Sequence, residues 1–523
     1  MGNNMGNNYR IIIINPNDNV GVAANNIPAG VTVQAGEYAI CVLDDIDTGH
    51  KVALKDIKCG ETVIKYGCSI GIATADIKAG EYVHTHNLKT GLSGIIEYSY
   101  NPEKSGCDEN SGDAAIGSNP CDLDLCDLRP NEPEIPQFMG YVREDGSVGI
   151  RNEIWIINTV GCVNKTAEML AAKAQKEFEG LTDGIFAFPH PYGCSQLGED
   201  HANTQKILTG LVNHPNAAGV LVLGLGCENN NIPEFKKVLG EYNPQRVKFL
   251  VTQEVEDEIE EGLKLIKDLV EYAAKFKRQP CPVSKLVVGL KCGGSDAFSG
   301  ITANPLVGTF SDRITSMGGV SLLTEVPEMF GAEHLLMARC KNKELFDKTV
   351  ALINNFKEYY IRHNQVIYEN PSPGNKKGGI STLEEKSLGC TQKGGRGCVA
   401  GVLDYGEKAV EPGLNLLKGP GNDIVACTAL TASGAHMILF TTGRGTPLGA
   451  PVPTVKIATN TGLYKRKRNW VDFNAGELLQ GVPMDKLSDD LFNYVLKVAS
   501  GEKTLNEKNN YREISIFKDG VTL

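Results

Sequence analysis

Four cysteines of this chain stand beside glycine, in Gly161-Cys162, Gly193-Cys194, Gly226-Cys227 and Cys292-Gly293-Gly294. Thiolates gathered at one edge of a parallel sheet suit iron or an iron–sulfur cluster. Each also fits as a small buried residue filling a tight turn, and no pair has the short C-x2-C form. Three histidines make a second set. His50 sits in the turn Gly49-His50-Lys51, and His84 and His86 are an i, i+2 pair expected to share one face of a strand. Imidazoles so placed could seat a divalent metal, with water-facing strand histidines as the alternative. His190, in FPHPYGC, stands beside a cysteine turn as a candidate acid, base or ligand; a capping or core histidine fits equally. Glu228 and Asp296 hold equivalent places after Cys227 and Cys292. The run KCGGSD, with Gly293, Gly294 and Ser295 at its centre, is a backbone nest able to hold an anion such as a carboxylate. No Walker loop is present, and Gly224-Leu225-Gly226 lacks the third glycine of a dinucleotide fingerprint.

These residues need elements to position them. Residues 9 to 100 carry short alternating runs between glycine turns, which predicts a small all-β module. Residues 101 to 135, rich in Asn, Ser, Gly, Asp and Pro and holding Cys107, Cys121 and Cys126, read as a linker. Its polar length would let the module dock as a closing lid or between subunits. From about 150 to 330 strand and helix alternate. The predicted strands are 154–160, 185–188, 220–225, 247–252, 286–290 and 321–326, with helices over 166–178, 205–213, 233–239 and 254–276. That alternation predicts parallel sheet covered by helices, with a first α/β domain over 136–280 and a second over 281–523. In the second, a long helix is expected near 342–364 and a strand pair near 424–430 and 437–441. No internal repeat is evident.

The length of 523 residues fits two to four domains at roughly 150 each. Apolar residues at 41% and charged ones at 22% exclude disorder as the main state. The net charge of −11 speaks against nucleic-acid binding, and the basic cluster at 465–468 reads as a solvated loop. No run approaches the roughly 18 apolar residues of a membrane helix. The opening MGNNMGNN lacks the features of a signal peptide, and fifteen scattered cysteines read as reduced thiols, so a cytoplasmic location is expected.

Longer segments carry a resemblance. GHKVALKDIKCGETVIKYGCSIGIA, followed by EYVHTHN, is similar to the SAF-type β-clip module that opens sugar-acid dehydratases. FPHPYGCSQLGEDH, GLGCENN, LKCGGSDAFSGITANPLVG, LTEVPEMFGAE, NPSPGNKKGGISTLEEKSLGCTQK, GPGND, LFTTGRGTPLGAPVPTVKIATN and IFKDGVTL follow in order. From about residue 9 to 523 the chain resembles the altronate/galactarate dehydratase family. VHTHN and the GVTL ending favour the altronate branch. The resemblance implies a hydro-lyase that turns D-altronate into 2-keto-3-deoxy-D-gluconate and water, by loss of the α-proton and the C3 hydroxyl. Galactarate or another C6 sugar acid is the alternative substrate. A sulfo-lyase on a 2-hydroxy acid, or a non-enzymatic β-clip binding module, are more distant readings.

The resemblance also implies iron(II) or manganese(II), with an iron–sulfur cluster as a further option. Such an ion would stabilise charge developing on the substrate carboxylate. The seat is His50, His84 and His86, or alternatively Cys162, Cys194, Cys227 and Cys292. His190, with Glu228 or Asp296 as partner, is the expected acid or base. Lys51, Asn87, Arg151, Gly293, Gly294, Ser295 and Arg444 are the expected substrate contacts, Arg suiting a carboxylate through bidentate pairing. The expected partner is a small sugar acid, with neither nucleic acid nor membrane, and a homo-oligomer is possible.

Overall fold

A computed structural model describes residues 9–101, 135–520 and 522. The opening MGNNMGNN and the stretch with Cys107, Cys121 and Cys126 lie outside the described residues. The N-terminal module is antiparallel throughout. Its largest sheet orders Ile11–Ile12, Val20–Ala23, Lys51–Ala53 and Tyr82–Val83. The module does contain a repeat. Asn/Asp-Ile-x-x-Gly recurs at Asn26, Asp45, Asp56 and Asp76. Buried isoleucines pair as Ile27 with Ile46 and Ile57 with Ile77. Each leading side chain caps the partner turn, as Asn26 Oδ1 accepts from Thr48 N at 2.8 Å and Asp45 Oδ1 from Ala29 N at 2.9 Å. Asp56 and Asp76 exchange the same bonds with Ala79 N and Cys59 N. The closing glycines, Gly30, Gly49, Gly60 and Gly80, all have positive φ. Only the isoleucine and glycine are constant, over five residues, which hides the period.

The strand expected to carry His84 and His86 ends at Val83. Asn87 Oδ1 accepts from His84 N at 3.0 Å, and Asn87 Nδ2 donates to Tyr82 O at 2.9 Å. His84 and His86 therefore sit on a side-chain-closed turn rather than on one strand face.

The body is α/β. Strands β1 (Glu153–Asn158), β2 (Gly184–Ala187), β3 (Ala217–Gly224) and β4 (Val247–Val251) form a parallel sheet in the order β2-β1-β3-β4. Then come β5 (Val287–Cys292), β6 (Val320–Leu323), β7 (Val399–Leu403), β8 (Gly413–Leu417), β9 (Met437–Thr442), β10 (Thr454–Ala458) and β11 (Phe473–Asn474). They form a second parallel sheet ordered β7-β8-β6-β5-β9-β10-β11. β3 and β9 are buried at every residue, as parallel strands covered on both faces must be. The strand expected near 424–430 is instead a helix, Asp423–Ala432. Asn422 caps it, and Val425 to Ala432 are all buried, so no polar face displays the helical period. A small antiparallel sheet of Gln137–Val142, Val148–Gly149 and Arg278–Pro282 was not expected from the sequence.

Arg151 ties the two α/β units together. Its Nε and one Nη donate to Glu507 at 2.7 and 2.9 Å, and its other donors meet Ile150 O, Val498 O and Glu502 O. All five N–H donors are thus taken inside the fold. Residues 512–520 run back across the first α/β unit. Arg512 meets Glu153 at 2.9 Å, and the Asp200 carboxylate accepts from Asp519 N and Gly520 N at 2.8 Å.

The N-terminal module docks on the helix Leu383–Thr391, which is buried at all nine residues. Glu385 receives Lys51 Nζ at 2.9 Å and Lys65 Nζ at 2.7 Å. Lys51 also donates to Gly379 O and Ser381 Oγ, each at 2.8 Å. Glu384 accepts from Thr90 Oγ1 at 2.8 Å and Gly91 N at 2.7 Å. Both carboxylates lie in the first turn, where the helix dipole favours negative charge. Burial pushes the Glu385 carboxyl up, and the two ammonium groups outweigh it, holding it at about 2. Burial draws Lys51 down to about 8.

Replacing Arg151 by Met leaves Glu507 buried without its main partner. The expected loss of stability is about 3–5 kcal/mol, read as an earlier denaturant midpoint. An unchanged midpoint would remove Arg151 from this role. The Glu385 tie has a depressed carboxylate, so its stabilisation is full above the ordinary value of 4.5 and lost as pH falls through about 2. Hydrogen exchange within residues 9–91 is expected to stay slow down to that ordinary value and to rise below it. Loosening of the module already between neutral pH and that value would contradict the assignment.

Candidate active site at the switch point of the large sheet

β5 lies between β6 and β9, so the chain leaves it first to one side and later to the other. Ligand sites in such sheets form at this switch point, beyond the carboxyl ends of the strands. Five loops meet there. They bring Cys292 to Asp296 after β5, Glu325 and Glu328 after β6, Asp423 after β8, Arg444 after β9, and Thr459 and Asn460 after β10. The buried helix adds Lys386 and Cys390.

The centre is a triangle of ligating atoms. Glu328 Oε2 lies 3.1 Å from both Cys292 Sγ and Cys390 Sγ, and the sulfurs are 3.4 Å apart. Among the described residues, no other group of three or more His, Cys, Asp or Glu has ligand atoms this close together. Three lysines surround it. Lys386 meets Glu328 at 2.8 Å, Lys393 lies 3.6 Å from Glu325, and Lys291 pairs with Glu325 and, at 2.8 Å, with Asp423. Donation from Cys390 draws the Cys292 thiol down to about 6, further favoured by Lys393 and Lys291. Burial pushes the Glu328 carboxyl up, but Lys386, Lys291 and Lys393 hold it well below its ordinary value. Burial, then Cys292 and Glu328, drive Glu325 the other way. Glu325 also has φ +72, a left-handed conformation that a non-glycine residue adopts at a cost of order 1–3 kcal/mol. Two thiols and a carboxylate fit a borderline ion such as iron(II), whereas manganese(II) favours oxygen donors.

A small chamber lies between this centre and the N-terminal module. Lys65 and Tyr66 line it from the module, and Asp296, Glu385, Lys386 and Cys390 from the body. Its volume is ≈ 10 Å³, room for about one water. At the seam beside it, His50 Nδ1 lies 2.6 Å from Tyr82 OH and Nε2 3.3 Å from Lys377 O. His84 Nδ1 lies 2.7 Å from Ser381 Oγ, and the His50 and His84 rings are 5.3 Å apart. Burial, then Lys51 and His50, draw His84 down to about 4. His86 is exposed and packs on Tyr82, so the three histidines do not converge as the triangle does. A second cavity of ≈ 490 Å³ has Pro327, Tyr360, Asn370, Asn422 and Lys518 among its walls. Asn370 Oδ1 accepts from Lys386 Nζ at 3.0 Å.

Several expected site residues gather at this edge. The Asp296 carboxylate accepts from Thr459 Oγ1 at 2.9 Å and Asn460 Nδ2 at 3.1 Å, and burial raises it. Gly294 O accepts from Arg444 N at 3.0 Å, and the exposed Arg444 side chain reaches toward Gly374. Ser295 O accepts from Asn375 Nδ2 at 2.8 Å. A side chain at Gly293 would overlap the Asp423 carboxylate and the Phe440 ring. The expected anion nest is partly filled by the protein itself, since Cys292 N donates to Glu325.

Others lie elsewhere or are fully engaged. His190 is buried in the first α/β unit, with Nε2 2.8 Å from Asn158 O and Nδ1 accepting from Tyr192 N, and burial draws it to about 4. Glu228 accepts from Thr159 Oγ1, Leu225 N and Gly226 N and braces that loop. Asn87 closes the His84 turn, Lys51 is held by Glu385, and Arg151 by Glu507. The four glycine-flanked cysteines divide three and one. Cys162, Cys194 and Cys227 are exposed on the first sheet, while Cys292 is buried on the second. Eleven described cysteines are free.

Glu325, Glu328, Lys386, Cys390 and Lys393 were not singled out from sequence. Charge runs such as Glu384-Glu385-Lys386 read as solvated faces. The available signal was the placement of all five inside two of the family-like segments, LTEVPEMFGAE and NPSPGNKKGGISTLEEKSLGCTQK.

Three family models match in order: the altronate/galactarate dehydratase SAF domain over residues 9–91, the D-galactarate dehydratase/altronate hydrolase second domain over 140–274, and the D-galactarate/altronate dehydratase C-terminal domain over 283–522. The chain is 49% identical to an altronate dehydratase of Escherichia coli (strain K12), covering 97% of this chain and 98% of that one. It is 51% identical to an altronate dehydratase of Bacillus subtilis (strain 168), covering 98% and 99%. Identity to the galactarate dehydratase (L-threo-forming) of Escherichia coli (strain K12) is 32%, over 94% and 93%. No helix among the described residues is long and apolar enough to cross a membrane. On near-complete coverage at half identity, with all three family models matching in order, this chain belongs to the altronate/galactarate dehydratase family.

Proposed function

We propose that this protein is a hydro-lyase that dehydrates D-altronate to 2-keto-3-deoxy-D-gluconate. The observation that carries the reading is the half-identical, near-complete match to two altronate dehydratases, against 32% for the galactarate enzyme. The predominance of free thiols supports a reducing, cytoplasmic setting.

The reaction removes a very weakly acidic α-proton and expels the C3 hydroxyl. Cys292, Glu328 and Cys390 would hold the metal, with iron(II) favoured by the two sulfurs. When bound, the ion supplies Lewis-acid stabilisation of negative charge on the substrate carboxylate. We place the sugar acid at the seam, where module and body each supply walls of one chamber. A C6 acid exceeds ≈ 10 Å³, so the module lifts to admit it and then closes, excluding water. Arg444, exposed at the lip over Gly294, grips the carboxylate. His84, held through Nδ1 by Ser381 and neutral at working pH, takes the α-proton at Nε2. His50, fixed by Tyr82 and Lys377 O, orients a substrate hydroxyl. Asp296 positions Asn460, Thr459 and the Arg444 turn.

A second reading seats the acid in the open cavity, whose ≈ 490 Å³ admits it without movement. Kinetics separate the two. At the seam, Arg444→Ala is expected to raise KM about tenfold or more, and His84→Asn to lower kcat at least 10²-fold with KM little changed. Asn422→Ala should then do neither. The reverse pattern would move the substrate to the open cavity. As the proton acceptor, His84 loses function only as pH falls through about 4, so kcat should hold from neutral pH down to about 5.

The metal assignment is read without turnover. Cys390→Ser and Glu328→Gln are expected to lower bound iron(II) per chain at equilibrium, whereas His86→Asn is not. The substrate half is read from initial rates on D-altronate and galactarate, side by side with iron(II) and without oxygen. A preference for galactarate would overturn it.

A further inference from the structure

Three cysteines outside this site stand at one edge of the first parallel sheet. Cys162 follows β1, Cys194 follows β2 and Cys227 follows β3, and all three are exposed. Free cysteine is ordinarily among the most buried residues, so three exposed thiols on adjoining loops call for a reason. β1 lies between β2 and β3, and the strands are parallel, so these loops leave the same edge side by side.

The loops are laced into one layer. Gly161 N donates to Tyr192 O at 2.9 Å, and Asn230 N to Gly193 O at 3.1 Å. Asn230 Nδ2 donates to Thr159 O at 3.0 Å. A side chain at Gly161 would overlap His190 O, and one at Gly193 would overlap Thr159 O. Glycine thus precedes Cys162 and Cys194 because a neighbouring loop's backbone passes against it. Glu228 pins the amides of Leu225 and Gly226 ahead of Cys227. Ser195, next to Cys194, is held at φ +59. Gln253 Nε2 points at Cys227 Sγ from 3.5 Å. His190 and Glu228, engaged by their own chain, brace this platform.

The spacing selects the ligand. A single tetrahedral ion with sulfurs at about 2.3 Å brings those sulfurs to about 4 Å of one another. These three are not all within 4.8 Å of one another, the limit that the Cys292 triangle meets. The loops that carry them adjoin without bringing the sulfurs together as the Cys292 triangle does, and thiolates on three adjoining loops fit the wider frame of a cluster. We propose that Cys162, Cys194 and Cys227 hold a [4Fe–4S] cluster, with three irons on thiolates and the fourth facing outward. Assembly joins two ferrous and two ferric irons, four sulfides and the three thiolates, and releases the three thiol protons.

The test is independent of the altronate reading, because it measures no turnover. The full chain is reconstituted without oxygen using ferrous and ferric salts and sulfide. Visible absorption, bound iron and acid-labile sulfide are then recorded. The expected result is a broad visible band with about four irons and four sulfides per chain. It should be lost in the triple variant Cys162→Ser, Cys194→Ser, Cys227→Ser and kept in Cys292→Ser with Cys390→Ser. Because the three side chains are exposed, the triple variant should unfold at the wild-type midpoint; should it not, the single variant Cys227→Ser carries the same comparison. Iron without labile sulfide, a band that survives the triple variant, or one that follows Cys292 and Cys390 would each overturn the proposal.

Discussion

The helix Leu383–Thr391 carries Glu384, Glu385 and Lys386 in succession, with none of them in water. A buried charge without a partner is too costly to keep, so each of the three dictates what must lie against it. Glu384 and Glu385 demand donors, and the N-terminal module supplies Thr90, Gly91, Lys51 and Lys65. Lys386 demands an acceptor, and Glu328 arrives after β6. One turn further on, Cys390 stacks over Lys386 and reaches the other oxygen of the same carboxylate. One helix thereby fixes where the module sits and where the metal-capable donors meet.

The electrostatics of that meeting point follow from a shortage of water. Three ammonium groups stand around two carboxylates and two thiols, all buried. The lysines keep Glu328 ionised and help draw a proton from Cys292, while Glu325, between two negative neighbours, is pushed toward its neutral form. Two carboxylates three residues apart are thus driven in opposite directions by their surroundings. The left-handed backbone at Glu325 aims its side chain at Lys291 and Cys292 N, and β6 ends where that aim is set.

The parallel sheets were legible because their strands are long apolar runs alternating with amphipathic helices. The helix at Asp423 was not, since a segment buried on all sides shows no period. The repeat in the module was missed because its constant residues, isoleucine and glycine, also suit any turn between strands. At the candidate site, the placement of Asp296, Gly293 and Arg444 at one sheet edge follows from their positions after apolar runs. Glu328 and Cys390 could not, because only the packing of a charged helix into the core brings them together. His190 and Glu228 look reactive in sequence for the same reason that they hold loops. Short polar side chains beside glycine can turn inward to backbone groups as readily as outward to a substrate. The four cysteines looked equivalent because nothing in a sequence says which strands share a sheet.

The run from Arg512 to Gly520 touches Glu153, Tyr192, Asp200, Arg362, Tyr405 and Thr428. Every one of these comes earlier in the chain. During synthesis the two α/β units can each reach their own sheets while still connected to the ribosome, since domains fold largely in the order in which they emerge. The clasp between them cannot engage until these later residues leave the exit tunnel. A truncated product that stops before Arg512 would therefore carry two formed sheets and an unlatched joint, with Glu153 and Asp200 left without these partners.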